Sequence, residues 1–241
     1  MDNILIYPVG FSNSCHYASD FLRRKGFPLT DHPMPEITHL LLDVPSSGKY
    51  DLENLLPMLP PDVTVIGGNL GPLPLNQHRR IDLLQNPYYL ARNAAITAEC
   101  ALQAAAPYLH TTFADSPTLI LGWGRIGKCL AKLLSACGCP VTVAARKAQD
   151  RAMLEALGYG AVDFTEIPPL ISSCRLLFNT VPNLPVIWDL SHILAIDLAS
   201  APGLAGDSVI PARGLPGKYA PESSGRLIAE TLSRFYLEGT L

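Results

Sequence analysis

The sequence predicts an α/β protein in two parts, each built on a parallel sheet covered by helices. Three observations carry this. Short, largely apolar segments of strand length alternate with helical ones, the pattern of strands buried on both faces. A glycine-rich turn at 122–127 stands between one such strand and an amphipathic helix. The 22 prolines cluster in connections, at Pro57, Pro60 and Pro61, at Pro72 and Pro74, and at Pro168 and Pro169.

Taken in order, Ile4 to Pro8 is a short apolar strand and Ser14 to Arg24 a helix closed by Gly26. His39 to Val44 is the second strand. Asp51 can cap a short helix through Pro57, and Val63 to Ile66 is the third strand, followed by the loop Gly67-Gly68-Asn69-Leu70-Gly71. An alanine-rich helix from Ala94 to Leu109, stopped near Pro107, leads to the linker Asp115-Ser116-Pro117. Beyond it Thr118 to Leu121 is a strand, Arg125 to Cys137 a helix, and Val141 to Ala145 a strand. Ile126, Leu130, Leu133, Leu134 and Cys137 form one apolar face of that helix. Gln149 to Leu157 is the next helix, and Leu176 to Phe178, Leu194 to Leu198 and Ser208 to Pro211 are the remaining strands. Pro221, well suited to a first helical position, opens a final helix to Leu237. The expected division is an N-terminal α/β domain at 1–93, a linking helix and linker at 94–117, and a nucleotide-binding domain at 118–220. The last helix, 221–241, is expected to pack back near the junction.

Composition narrows the function. Of 241 residues, 48% are hydrophobic and only 16% charged, so the chain is not disordered. A net charge of −3 offers no field for a nucleic-acid backbone. No apolar run reaches the roughly 18–20 residues of a membrane helix, and the N-terminus has no basic leader. The expectation is a soluble cytoplasmic protein without nucleic-acid or membrane partners. Cys15, Cys100, Cys129, Cys137, Cys139 and Cys174 are expected as reduced thiols, and their spacing fits no zinc site.

Gly122-Trp123-Gly124-Arg125-Ile126-Gly127 is a G-x-G-x-x-G between a strand and an amphipathic helix, with a second strand at βαβ distance. That is the dinucleotide fingerprint of a Rossmann, doubly wound sheet. Its glycines permit a tight turn, close approach of a pyrophosphate, and close packing of helix on strand. The helix N-terminus then faces the diphosphate. An NAD site usually ends the second strand on Asp or Glu. Here Ala144-Ala145-Arg146-Lys147 supplies two cations instead, which favours NADP over NAD. The later strand ends should face the nicotinamide: Asn179-Thr180-Val181-Pro182, Asp197 to Ser200, and Gly214-Leu215-Pro216-Gly217.

The chemistry-bearing side chains are fewer. Arg92, Arg213, Lys218 and His16 are candidate cations for substrate carboxylates. His16, in the first strand–helix connection, and Glu99, on the linking helix, are candidate proton acceptors.

Several segments resemble one family in the same order. They are Thr97 with Glu99, the glycine turn from Leu121 to Gly127, Ala145-Arg146, Asn179-Thr180 with Pro182, the stretch from Asp197 to Gly203 including Pro202, Gly214-Leu215-Pro216-Gly217, Ala220-Pro221 and Gly225. This set is similar to the A subunit of dipicolinate synthase and covers roughly residues 93–236. The resemblance implies a Rossmann domain with a smaller flavodoxin-like N-terminal domain, as in D-2-hydroxyacid dehydrogenases. It implies NADP-linked conversion of 4-hydroxy-tetrahydrodipicolinate, the lysine-pathway heterocycle, to dipicolinate in the mother cell during sporulation. A flavoprotein-like B subunit is the implied partner, and a homo-oligomer is expected. Thr97 and Glu99 are then expected to wall the site. Two alternatives stay open: a cofactor-binding subunit without turnover, and a dehydrogenase of another small carboxylate. The absence of any histidine after His192 argues against a D-2-hydroxyacid dehydrogenase proper.

Overall fold

The structure is a computed structural model that describes residues 4–46, 50–75, 78–184, 188–201, 203–204, 206 and 208–241. The chain forms two compact units, Met1–Asn93 with Pro216–Leu241, and Ala94–Leu215.

The first unit begins with β1 (Ile6–Pro8), α1 (Asn13–Arg24), β2 (His39–Leu41), the short α2 (Leu52–Leu55), β3 (Thr64–Gly67) and β4 (Arg80–Asp82). Its four strands are parallel and ordered β1-β2-β3-β4. Ile6 uses both main-chain groups on the segment that follows α1: its N–H donates to the Pro28 carbonyl and its carbonyl accepts from Thr30. The Leu5 carbonyl, pointing the other way, accepts from Thr38 and His39. An edge bridge at Leu29 therefore lies on the opposite side of β1 from β2. Counting that edge, the order is 2-1-3-4-5, the flavodoxin-like one.

The helix boundaries follow from caps. Ser12 accepts from the Cys15 N–H at 3.2 Å and starts α1, whose last turn carries Arg23 and Arg24 against the dipole's negative end. Strand β4 escapes sequence reading because Arg-Ile-Asp has one apolar residue, as suits an edge. Its Asp82 carboxylate accepts from the Asn69, Leu70 and Leu84 N–H groups and so holds the 67–71 loop. The long helix α3 runs Pro87–Ala105, seven residues earlier than the alanine pattern indicates. Asn86 accepts from the Tyr89 N–H at 2.9 Å and Pro87 takes the first helical position, so capping, not composition, sets the start.

The second unit adds β5 (Thr118–Leu121), α4 (Arg125–Ala136), β6 (Val141–Ala144), α5 (Ala148–Ala156), β7 (Gly160–Val162), α6 (Pro168–Ile171), β8 (Leu176–Asn179), β9 (Leu194–Asp197) and β10 (Val209–Pro211). All six strands are parallel, in the order β10-β9-β8-β5-β6-β7. Read from β7 this is 3-2-1-4-5-6, the doubly wound order, whose direction reverses between β5 and β8. The β5 residues are all buried, between helices on both faces. Strand β7, Gly-Ala-Val, opens on glycine and holds one β-branched residue, so its composition gives no strand signal.

The chain returns to the first unit in α7 (Leu215–Tyr219) and α8 (Pro221–Leu237). Helix α8 packs along α1 at Gly225, where a Cβ would come within 2.5 Å of the Ser14 carbonyl oxygen. The close crossing is possible only without a side chain there.

Candidate functional site

The site grows out of the end of β5. Gly122 has φ of 99°, and a Cβ there would meet Thr180 Oγ1 and Val181 Cγ2 at 2.7 Å. The turn thus needs glycine twice over, for its backbone and for the neighbouring β8 loop. Gly127 lies against the Gly122 carbonyl, so α4 can start directly over the turn. Gly124 is different: nothing lies within 4 Å of where its side chain would be. No side chain caps α4. Its leading N–H groups therefore face open space, where a phosphate can take them.

Around this turn is a cavity of about 440 Å³. Gly122, Trp123 and Gly124 form its floor. Ala145, Arg146, Lys147 and Asp150 line the side at β6, with Phe164 beyond, and Thr180, Val181 and Pro182 line the side at β8. Trp123 is packed between Tyr159, with ring centroids 6.1 Å apart, and Lys128, whose Nζ is 5.6 Å from the ring.

The β6 side is held by a residue that sequence reading missed. Arg151 Nη1 donates to the carbonyls of Ala145 and Arg146 at 2.7 and 2.9 Å and to the Asp163 carboxylate at 2.7 Å. It pins the main chain that carries Arg146 and leaves the Arg146 and Lys147 side chains exposed. Hydrogen bonds from Thr165 hold the Asp163 carboxyl below its usual range. Asp163 also caps the turn that presents Phe164. Asp150 and Phe164 were missed as well. Asp150 lies on the first turn of α5, beyond the strand end where an acid is normally sought.

The β8 side rests on a buried polar network. Thr180 Oγ1 donates to the Leu121 carbonyl at 2.7 Å. Asn179 accepts from the Val181 N–H at 2.9 Å, and its Nδ2 donates to the Val181 carbonyl and, at 2.7 Å, to Asp197. Asp197 also accepts from the N–H groups of Ala199 and Gly203. A side chain at Gly203 would strike the Asn179 amide.

Of the sequence-read cofactor residues, Gly122, Trp123, Gly124, Arg146, Lys147, Thr180, Val181 and Pro182 thus line one cavity. Arg125, Ile126 and Gly127 open α4 beside it. Asn179 and Asp197 are buried beneath the strand ends, exposed by 0% and 2%. Ser200 and Gly214 lie in the loops after β9 and β10, Pro202 lies outside the described residues, and Pro216 belongs to the first unit. The candidate catalytic residues are not among the cavity's lining. Thr97 is buried on α3, Glu99 is exposed on the same helix with no hydrogen bond or ion pair among the described residues, and His16 is exposed on α1 in the first unit. Among the described residues no cluster of three or more His, Cys, Asp or Glu could hold a metal, and no helix is long and apolar enough to cross a membrane.

Comparison with known proteins accords with this geometry. The profile of the family described as D-isomer specific 2-hydroxyacid dehydrogenase, NAD binding domain, matches residues 88–186. The A subunit of dipicolinate synthase from Bacillus subtilis (strain 168) is 29% identical over 159 residues, 61% of this chain. That match spans 54% of the relative, about half its length. The crystal structure of the same subunit type from Bacillus subtilis superposes with a TM-score of 0.82 at 19% identity, covering 99% of this chain and 97% of that one. Its counterpart from Bacillus halodurans gives 0.78 at 22%, covering 97% and 98%. The chain is therefore similar to the A subunit of dipicolinate synthase, in sequence over part of its length and in fold over nearly all of it. The matched profile is that of a dehydrogenase NAD-binding domain, which supports a nicotinamide dinucleotide as the cofactor and an oxidoreductase-like role.

Proposed function

We propose that the protein is an NADP-linked oxidoreductase of the same type as the A subunit of dipicolinate synthase, oxidising 4-hydroxy-tetrahydrodipicolinate to dipicolinate. The observation that carries the cofactor half is the pairing, on one cavity, of an open glycine turn with Arg146 and Lys147 at the end of β6. The Gly124 edge and the leading N–H groups of α4 hold the diphosphate. Arg146 and Lys147 pair with the 2′-phosphate, and Asp150 accepts from a ribose hydroxyl. Thr180, Val181 and Pro182, braced by Asn179 and Asp197, bound the nicotinamide. The domain division read from the sequence is part of the same proposal, with 118–220 serving the cofactor.

The substrate half is supported by the similarity to the A subunit of dipicolinate synthase. The conversion loses one water, one hydride and one proton. The bound nicotinamide supplies the hydride acceptor, and aromatisation of the ring makes the oxidation downhill. The protein orients the ring, holds its carboxylates and takes the proton. Glu99 is the proposed proton acceptor, with Thr97 beside it and His16 as the second candidate. The protein works in the mother cell of a sporulating bacterium with a partner of flavoprotein type, and forms a homo-oligomer.

A second reading is a cofactor-binding subunit without turnover of its own. It is favoured by the lining of the β8 side of the cavity, where the described residues Thr180, Val181 and Pro182 include no acid or base. One experiment separates the two. The protein is titrated with NADP and NAD, then given the heterocycle with and without the flavoprotein-type partner, and NADPH absorbance is followed. Tighter NADP binding with dipicolinate formed supports the first reading. Binding without turnover in either mixture supports the second. In a turning-over protein, Glu99→Gln is expected to cut dipicolinate formation about 100-fold at unchanged NADP affinity. Normal turnover of that variant removes Glu99 from the chemistry.

A further inference from the structure

The carboxyl edge of the second unit carries a cation that the cofactor does not need. Arg213 follows β10 by two residues, in a loop held by the Ala212 N–H, which donates to the Asp197 carbonyl at 2.8 Å. The Arg213 Nε donates to the Ala199 carbonyl at 3.0 Å. Its Nη2 lies 3.7 Å from Asp197 Oδ2, an ion pair beyond hydrogen-bond length. The Asp197 oxygens are already engaged by Asn179, Ala199 and Gly203. Neither terminal nitrogen of Arg213 therefore makes a hydrogen bond among the described residues, and the side chain is 42% exposed. A guanidinium fixed at Nε with both terminal nitrogens open is the shape that takes a carboxylate through two parallel hydrogen bonds.

Strand order says which ligand that is. Along the carboxyl edge, β6 takes the adenine end of a dinucleotide, β5 the diphosphate, and β8, across the reversal point, the nicotinamide. Strands β9 and β10 lie further on. Arg213 is two strands past β8 and four past Arg146, about 19 Å along the sheet at the usual strand spacing of roughly 4.8 Å. It is too far along to serve the same phosphate as Arg146.

We propose that Arg213 binds a carboxylate of the substrate, an acid whose carboxylate sits next to the reacting carbon. This rests on the oxidoreductase reading above and names the residue that anchors its substrate. Asp197 then has a double part: it braces the β8–β9 loops and draws the guanidinium into place while leaving its terminal nitrogens open.

The test uses the NADP-loaded full chain and the arginine reagent phenylglyoxal, with modification read residue by residue from peptide masses. Dipicolinate and pyruvate are added separately, against sodium chloride at equal ionic strength. Dipicolinate is expected to slow modification of Arg213 about tenfold or more and to leave the exposed Arg125 and Arg226 unchanged. Arg213→Lys, which keeps the cation but loses the fork, is expected to weaken dipicolinate binding about 10- to 100-fold, the scale of a lost hydrogen bond to a charged group. NADP affinity should stay within about twofold, as measured by calorimetry. Protection by pyruvate but not by dipicolinate, with no dipicolinate formed, keeps the anchor and discards the proposed substrate. Dipicolinate formed without protection of Arg213 by either acid overturns the anchor and keeps the proposed function. Parallel loss of NADP and dipicolinate binding in Arg213→Lys also overturns it, since Arg213 then acts only as a brace of Asp197.

Discussion

The two units solve the same electrostatic problem in opposite ways. Each has a parallel sheet whose first strand runs into a helix, so each has a helix N-terminus at its carboxyl edge with N–H groups wanting an anion. In the first unit the chain supplies the anion itself. Asp43, past the end of β2 and 7% exposed, accepts from the Phe11 and Ser12 N–H groups at 3.0 and 2.9 Å and from the Ser12 and Tyr50 hydroxyls, each at 2.5 Å. In the second unit nothing comparable caps the start of α4 among the described residues, and nothing lies within 4 Å of where a Gly124 side chain would be. A parallel sheet thus builds an anion site by default. Whether it binds a cofactor depends on whether a side chain from the next strand has already filled it.

Ionisation follows the same division. Burial pushes the Asp43 carboxyl up, but the donors from Ser12, Tyr50 and Phe11 outweigh it and hold it below the usual range. Cys15, buried against this carboxylate, is pushed up to about 12 by burial and then by the Asp43 charge, and is no nucleophile. In the first unit, then, the charge at the helix start is spent on the fold, whereas in the second Arg146 and Lys147 stay exposed beside the glycine turn.

The sharpest way to break this comparison is Gly124→Val. Its extended backbone accepts valine and its surroundings are empty, so the fold should persist with an unchanged melting temperature. Dinucleotide affinity should fall roughly 1,000-fold, because the side chain stands where a phosphate must meet main chain. Retained affinity in a folded variant would place the cofactor elsewhere.

Asp43→Ala is the mirror experiment. It leaves two N–H groups and two hydroxyls without their acceptor and should cost about 3 kcal/mol of stability in chemical denaturation. The loss should not depend on whether dinucleotide is present. In the unaltered protein the Asp43 contribution is intact above the unfolded carboxylate pKa of about 3.9 and is lost as pH falls through the lower folded value.

A smaller effect comes from His39, 6% exposed at the start of β2, with Nδ1 on Thr38 Oγ1 and Nε2 unpartnered. Burial, and then the Arg79 charge, lower its pKa from 6.5 to about 4. The folded state binds this proton less readily than the unfolded one. Its contribution is therefore complete above pH 6.5 and declines as pH falls from 6.5 towards 4. His39→Gln should flatten that part of the stability–pH curve. An unchanged slope would assign the acid sensitivity to another group.

The smallest effect is expected at Arg146→Ala, which should narrow the gap between NADP and NAD about tenfold in a binding titration, as loss of one charged contact to a phosphate requires. Equal affinities in the unaltered protein would leave Arg146 an exposed cation with no part in cofactor choice.

What could be read without coordinates was what neighbours in the chain decide together. The glycine turn, the apolar face of α4, the cations closing β6 and the proline opening α8 each depend on backbone geometry within about ten residues. A repeat of apolar positions or a spacing of glycines reports such geometry directly. Even there, one cap moved the start of α3 by seven residues, since Asn86 and Pro87 outweigh an alanine-rich composition that says only where a helix is comfortable.

Tertiary structure alone decided which charges have partners. Asp43 reaches Phe11 and Ser12 across 32 and 31 residues, Asp197 meets Asn179 across 18, and Arg151 meets Asp163 across 12. The Leu29 edge that completes the flavodoxin-like order hangs on main-chain bonds to Ile6 that no side-chain pattern announces. Hydrophobic periodicity places a strand in a sheet, but sheet register determines which polar side chains come within three ångströms of each other. That is why the glycine turn at Gly124 could be named from the sequence, while the cluster at Asp43 could not.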